Sequence, residues 1–377
     1  MHDPEMTPHP TMRILLIGEY SNVHATLAKG LRNLGHDVTV ASNGDFWKNY
    51  PRDIDLARKS GKWGGLSLMA RLAKCLPQWR GYDLVQLINP MFVELRAERI
   101  FPLYDYLKRH NRCVVLGAFG MDSYWVQTCV EQKPLRYSDF NIGEELRQNE
   151  DALRERNDWL GTAKERLNRH IAESCDGIVA GLYEYWVCYH PAFPQKTVYI
   201  PYPIEMPEAS VPHYSGKLHL FIGINASRSA YKGTDIMLAA AEEVAQRHPE
   251  DMELQIARSV PFAQYQYMMD SSDAILDQLY SYTPSMNSLL AMSKGIICIG
   301  GGEPEHYTLL EEQQLRPIIN VEPNHESVVN ALEDLLAHPE QITRLKKESI
   351  DYVRRHHEFI TVARRYEDFY TTLLSQS

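Results

Sequence analysis

Three stretches of this chain carry residue types whose spacing could hold and polarise an anion. The first is Gly223-Ile-Asn-Ala-Ser-Arg228-Ser-Ala-Tyr-Lys232-Gly233, which follows an apolar run and precedes a helical pattern opening near Thr234. Arg228 and Lys232 together could neutralise a diphosphate, and Gly233 lets the backbone turn tightly. Two solvated cations on a turn are the alternative. The second is Tyr280-Ser-Tyr-Thr-Pro-Ser285-Met286-Asn287-Ser288. With Ser285 as N-cap, the N–H groups of Met286, Asn287 and Ser288 form an anion site reinforced by the helix dipole. A structural helix start is the alternative. The third is Ile299-Gly-Gly-Gly302-Glu303-Pro304-Glu305-His306. Its glycines allow a ligand close to the backbone, and Glu303 and Glu305 could accept hydrogen bonds from a ribose or sugar hydroxyl.

Each stretch needs a frame that brings a loop to a common edge. Met12-Arg-Ile-Leu-Leu-Ile-Gly18 reads as a buried parallel strand, and Ser21 offers an N-cap to a helix carrying Val23, Leu27, Leu31 and Leu34, closed by Gly35. Further strands are expected at 38–41, 84–88, 114–116 and 177–180, with a long charged helical segment from Glu144 to Glu173. A second series starts at Leu218-His-Leu-Phe-Ile-Gly223, continues with a helix over 234–246, and has strands near 253–256, 274–279, 296–299 and 317–321. Periodicity predicts closing helices over 325–337, 339–356 and 360–374. The alternation specifies two Rossmann-like, doubly wound parallel-sheet domains (α/β) facing a cleft, and ligands belong at the carboxyl ends of their strands. The expected division is an acceptor domain over 12–203, a nucleotide-sugar domain over 204–358, and a final helix over 359–377.

The Lys232-Gly233 loop, the helix start at Ser285, the Gly-Gly-Glu-Pro-Glu loop and the linker Val198-Tyr-Ile-Pro-Tyr-Pro203 occur in an order that resembles the retaining glycosyltransferases of GT-B fold, family 4 (group 1 in older naming). The ending Arg354-Arg-His-His-Glu-Phe-Ile-Thr-Val-Ala-Arg-Arg-Tyr366 resembles that family's closing helices, the last of which packs back on the N-terminal domain. The resemblance covers nearly the whole chain after Met12. It implies a nucleotide diphosphate-sugar donor, a saccharide or lipid-linked acceptor, no cofactor, no required metal and retained anomeric configuration. Polysaccharide biosynthesis is the family's commonest setting. Arg228 and Lys232 match its diphosphate-binding cations. Gly18 matches its glycine loop near the donor phosphate, and Asp122 lies near the position of a histidine this chain lacks, which makes it the candidate polar contact at the reacting centre. A capping aspartate is the alternative for Asp122. One departure stands out: where the family carries two glutamates eight positions apart, this chain has Tyr282 and Leu290. That departure keeps open a catalytically degenerate GT-B protein that binds a nucleotide or partner without turnover. The paired α/β layout keeps open a two-lobed sugar-binding protein.

Composition narrows the classes further. The 377 residues carry a formal net charge of -10, and the pI is near 5.8, which argues against a nucleic-acid partner. The six cysteines are scattered without a CxxC pair, as in a reducing compartment. The polar leader before Met12 has no signal-peptide pattern, and a cytoplasmic location is expected. Asp53-Ile-Asp55 matches a DxD metal-binding pattern but lies in an early loop away from the donor stretches, where a surface turn is the reading. His356-His357, near a helix end, has no spaced His or carboxylate partner. Residues 58–80 are locally basic: Arg58, Lys59, Lys62, Arg71, Lys74 and Arg80 appear with no acid, interleaved with Trp63, Leu66, Met69 and Trp79. This pattern suggests a peripheral contact with an anionic membrane at its inner face. A half-buried helix with snorkelling lysine stems is the alternative.

Overall fold

A computed structural model describes residues 10–208, 211–225, 229–258 and 260–376. The first part of the chain runs β1 (Arg13–Ile17), α1 (Val23–Asn33), β2 (Asp37–Ser42), β3 (Ile54–Asp55), α2 (Gly64–Cys75), β4 (Leu84–Leu87), α3 (Ala97–His110) and β5 (Cys113–Ala118). It continues through α4 (Ser123–Gln127), β6 (Asn141–Ile142), β7 (Glu145–Leu146), α5 (Glu150–Trp159), α6 (Ala163–Ser174), β8 (Gly177–Ala180), α7 (Tyr183–Tyr189) and β9 (Thr197–Tyr199). Seven strands form one sheet in the order β3-β2-β1-β4-β5-β8-β9, with every ladder parallel. Ile14 to Ile17 and Val114 to Leu116 are buried on both faces because helices cover both sides.

The second part has β10 (Leu218–Ile224), α8 (Ser229–Lys232), α9 (Thr234–Arg247), β11 (Met252–Arg258), α10 (Phe262–Asp270) and β12 (Ala274–Leu276). It ends with α11 (Met286–Ser293), β13 (Ile297–Gly300), α12 (Pro304–Leu309), β14 (Ile319–Asn320), α13 (His325–Ala337), α14 (Glu340–His357) and α15 (Phe359–Gln376). Its five parallel strands are ordered β11-β10-β12-β13-β14. The two-sheet, doubly wound architecture expected from the alternation is present.

Helix α15 returns to the first sheet. Ile204 donates to the carbonyl of His357, and Phe359 donates to that of Ile204, so the linker and the crossing point are stitched together. Beyond the crossing, α15 lies on α1 at Gly30, where a Cβ would come within 2.7 Å of the Ala363 Cβ. Phe369 and Leu373 fill the space over Gly177. The Tyr370 hydroxyl donates to Gln86 Oε1 (2.8 Å). His36 accepts from the amide of Met12 at Nδ1, which leaves its Nε2 facing the Glu367 carboxylate at 2.9 Å.

Several local expectations need correction. The charged segment 144–173 is not one helix: it starts in the β6–β7 hairpin and breaks between α5 and α6 at Gly161, whose φ is +71°. Ser21 does not cap α1. Both Ser21 and Asn22 have positive φ, and Glu19 caps instead, accepting from the amides of His24 (3.2 Å) and Ala25 (2.8 Å). The strand expected over 274–279 stops at Leu276, where the chain turns into a loop.

Candidate active site

A cavity of about 620 Å³ lies where the two sheets face one another. The second sheet supplies most of its wall, from the carboxyl ends of three adjacent strands. Gly223 and Ile224 end β10 and Asn225 follows it, Ala257 and Val260 flank the end of β11, and Gln278 follows β12. Lys232 closes one side and the start of α11, at Ser285, Met286 and Asn287, closes another. Ser21, Trp47 and Lys48 reach in from the loops after β1 and β2 of the first sheet. This is the edge at which a doubly wound sheet binds ligands.

The anion-binding element expected at Ser285 has the right backbone. Ser285 takes an extended N-cap conformation (φ -74°, ψ 171°), but its hydroxyl turns away to Asp277 Oδ1 (3.0 Å) and caps no amide of the helix. The amides of Met286, Asn287 and Ser288 therefore have no acceptor among the described residues. Such orphan donors, with the dipole behind them, attract negative charge. Asn287 is steadied by Tyr265, accepting its side-chain N–H at 2.9 Å. The ring of Tyr265 lies on Gly223, where an added Cβ would sit 2.6 Å from it, so the close approach that glycine permits is used by a tyrosine. Burial and the nearby Asp277 push the Tyr265 hydroxyl up to about 12, so it stays a neutral hydrogen-bonding group. Gly233, at φ +73°, starts α9 and packs against Leu279, which fixes the backbone beside Lys232. Arg228 lies outside the described residues.

Across the cleft, two strained loops are tied together. Ser21, Asn22, Asp45, Phe46 and Asn49 all have positive φ. Asp45 Oδ2 accepts from the Ser21 amide (2.9 Å) and from Lys48 Nζ (2.7 Å). Lys48 Nζ also donates to Ser21 Oγ at 3.2 Å. Non-glycine residues held at positive φ cluster where a structure over-determines them. Here the constraint delivers an ammonium and the 67 %-exposed indole of Trp47 to the cavity mouth. Sequence reasoning missed Trp47, Lys48, Tyr265 and Gln278. Their one signal was position, each lying in or just beyond a loop that follows a strand.

The remaining expected residues lie elsewhere. Gly18 (φ +88°) is closed in by Ile88 and Phe92 and does not line the cavity. Asp122 is fully buried and caps α4: Oδ1 accepts from the Trp125 amide (2.9 Å) and Oδ2 from the Tyr189 hydroxyl (2.8 Å). Burial pushes its carboxyl up to about 7 against those donors. The capping alternative describes Asp122, because both oxygens are spent inside the first domain.

Gly302, Glu303 and Glu305 do not line the cavity either. They form part of a seam between the two halves of the chain. Glu303 accepts from Arg136 Nη2 (2.5 Å), Asn320 Nδ2 (3.0 Å) and the Tyr137 hydroxyl. Glu305 pairs with Arg136 Nη1, and the Gly302 amide donates to Asn320 Oδ1 (2.9 Å). The Tyr282 hydroxyl accepts from the Arg136 amide (2.8 Å), and its ring stacks on Tyr183. A few residues away, Arg147 donates to the carbonyls of Ala230 (2.6 Å) and Tyr231 (3.0 Å) and lies over the Tyr280 ring. Glu184, buried at the start of α7, receives Tyr282 N (2.7 Å), Thr283 N (3.1 Å), Ser281 Oγ (2.9 Å) and Thr283 Oγ1 (2.7 Å). Tyr282 is thus buried within the seam, and Leu290 packs on an apolar cluster with Phe221 and Met269. Neither position brings a carboxylate to the cavity.

Asp53 and Asp55 are engaged by Arg32 and Arg52. Of the histidine pair, His356 faces Glu312 and His357 the carbonyl of Tyr202. All six cysteines are buried thiols. Among the described residues, no helix is long and apolar enough to cross a membrane.

No family model and no curated protein matches the sequence. Solved structures do match along almost the whole chain. A sucrose-phosphate synthase from Thermosynechococcus elongatus aligns with a TM-score of 0.61 and 13 % identity, over 97 % of this chain and 100 % of that one. HepE from Anabaena, in complex with UDP and glucose, aligns at 0.58 and 11 % identity, over 96 % of this chain and all of its own. The catalytic domain of starch synthase IV from Arabidopsis thaliana, bound to ADP and acarbose, aligns at 0.57 and 12 % identity, over 97 % and 100 %. These likenesses show the GT-B glycosyltransferase fold.

Proposed function

We propose that this protein is a retaining glycosyltransferase of family 4 type that takes a nucleoside diphosphate-sugar into the 620 Å³ cavity and passes the sugar to a saccharide or lipid-linked acceptor. The observation that carries the reading is the convergence of Lys232 and the uncapped amides at the start of α11 on one cavity, with Lys48 opposite. A diphosphate is the ligand whose charge and length suit these groups. Of the neighbours with this fold, HepE is in complex with UDP and glucose, and starch synthase IV is bound to ADP and acarbose.

In this reading the hard step is departure of the nucleoside diphosphate from an oxocarbenium-like sugar. Lys232 and the α11 amides stabilise the charge that develops on the leaving phosphate, and they are fixed before the reaction begins. An acceptor hydroxyl held by the first domain attacks from the face the diphosphate leaves, its new C–O bond forming as the sugar–phosphate C–O bond breaks and its proton passing to the departing phosphate oxygen. No metal or cofactor is part of the proposal. The base lies toward Val260, Tyr265 and Gln278.

A second reading, a GT-B protein that binds nucleotide without transfer, has its own support. Tyr282 and Leu290 replace the paired glutamates, and Glu303 and Glu305 are held in the seam by Arg136. Calorimetric titration with UDP, GDP and ADP, followed by assay of donor hydrolysis, separates the readings. Binding with turnover supports the transferase and binding alone the second reading. Absence of nucleotide binding removes both and leaves a two-lobed sugar receptor.

A further inference from the structure

The basic segment 58–80 has a structure that its sequence leaves open. Helix α2 is apolar on two opposite sides. Leu68, Leu72 and Cys75 are buried against the sheet, whereas Trp63 (77 %), Leu66 (58 %) and Met69 (38 %) are exposed at three-residue intervals along the outer side. A globular helix has a use for one such stripe, and the other is left to water.

Beside the outer stripe is a shallow groove of about 330 Å³, shared by Arg58 and Lys62 with Arg96 and Arg99 from the start of α3. Arg99 reaches the Met69 sulfur, so its cation sits against the apolar stripe. Among the described residues, Arg58, Lys59, Lys62, Arg96 and Arg99 form no ion pair, although Glu94 lines the same groove and accepts from the Arg58 amide (3.1 Å). Five unpaired cations around exposed indole, leucine and methionine, on a chain of net charge -10, are not explained by folding.

We propose that this face docks peripherally on a bilayer rich in anionic phospholipid, with the cations on the phosphate headgroups and Trp63 and Leu66 entering the headgroup boundary. Charge complementarity selects the surface. Long, mobile cations around an open groove suit a layer of phosphates, and an indole beside them suits the interface between headgroup and acyl chain. The location gives the contact a use. Glu94 lines both this groove and a small crevice formed with Gly18, Tyr20 and Asn43 at the carboxyl ends of the first sheet's strands. A membrane held here lies beside the wall from which a lipid-linked acceptor would be presented. The docking itself does not depend on the nucleotide reading.

The test is sedimentation of the full-length protein with vesicles of phosphatidylcholine, alone or mixed with phosphatidylglycerol. The protein should sediment with the mixed vesicles only, and less as salt is raised. Lys62→Gln with Arg96→Gln should weaken partitioning about 25-fold, at about fivefold per cation. Arg109→Gln with Lys347→Gln, which removes the same charge elsewhere, should leave partitioning unchanged. Trp63→Phe should remove a vesicle-dependent blue shift in tryptophan emission. Equal partitioning of the two double variants, or no sedimentation of the wild type with the mixed vesicles, overturns the proposal; the latter would point to an acidic protein partner. UDP titration of the same variants is read separately, so loss of nucleotide binding by all of them bears on the transferase reading alone.

Discussion

Replacing Glu184 by alanine should loosen the seam between the two halves of the molecule by a measurable amount. Four donors converge on this one buried carboxylate: the amides of Tyr282 and Thr283 and the hydroxyls of Ser281 and Thr283. The Ser281 hydroxyl has a second acceptor, the carbonyl of Thr283 at 2.6 Å. The Thr283 amide also has the Ser281 hydroxyl within reach at 3.4 Å, so two donors, the Tyr282 amide and the Thr283 hydroxyl, are stranded in Glu184→Ala. Each costs about 1–3 kcal/mol when left unmade in a dry site. Burial raises the Glu184 pKa against the Thr283 hydroxyl and the Tyr282 amide, so removing the carboxylate also removes a desolvation cost. The net expectation is a loss of about 2–4 kcal/mol. Glu184→Gln, with one acceptor oxygen and an amide facing donors, should fall between wild type and alanine. Urea unfolding followed by circular dichroism gives the stability change, and UDP titration reports whether the loop leading to Ser285 has lost its shape. An alanine variant within about 0.5 kcal/mol of wild type would show that the loop stands without Glu184 and would refute the account of the seam.

Three further outcomes are expected. Lys232→Ala should raise the barrier for donor turnover by about 2–4 kcal/mol, as loss of one preorganised charge-stabilising group does, and should weaken UDP binding in titration; wild-type turnover would remove Lys232 from the site. Asp122 has a folded-state pKa near 7 against an ordinary value of 3.8, so the stability contributed by its protonated form is complete below the ordinary value and is lost as pH rises through 7. Asp122→Asn cannot ionise, and its melting temperature should lack a pH-dependent decline worth at most on the order of 4 kcal/mol across that window, with parallel curves counting against the assignment. Gly18→Ala places a Cβ 2.2 Å from Ile88 Cγ2 at φ +88°, and thermal unfolding should show a loss of about 2–4 kcal/mol.

The parts of the fold that rest on local periodicity were readable. The strands Ile14–Ile17 and Phe221–Gly223, the C′ turn at Gly35 and the three closing helices all announce themselves by burial period or by a residue with special φ. The start of α11 was also readable in backbone terms, although the Ser285 hydroxyl prefers Asp277. What could not be read was anything decided by a distant partner. The sequence Gly302-Glu303-Pro304-Glu305 has the composition of a ligand loop, but Arg136 and Tyr137, more than 160 positions away, take its carboxylates. Residues 128–143, which include Arg136, have no period, and Arg147 falls inside a stretch that reads as helical, so neither of the two arginines that fasten the seam gave a local sign of its partner. At the first helix, a serine beside the start looked like the cap, whereas Glu19 reaches the amides of His24 and Ala25 from further upstream.

The return of α15 has a consequence for how the chain must be made. Residues 13–199 contain every strand of the first sheet, yet the ground over Gly30 and Gly177 is filled by Ala363, Phe369 and Leu373. A nascent chain emerging from the ribosome therefore exposes an unfinished apolar surface throughout synthesis of the second half. That surface closes only once α15 has been made and has folded back, so that Tyr370 can reach Gln86. The first sheet is synthesised before the second and completed after it, and a fragment ending near residue 203 would carry that bare surface permanently.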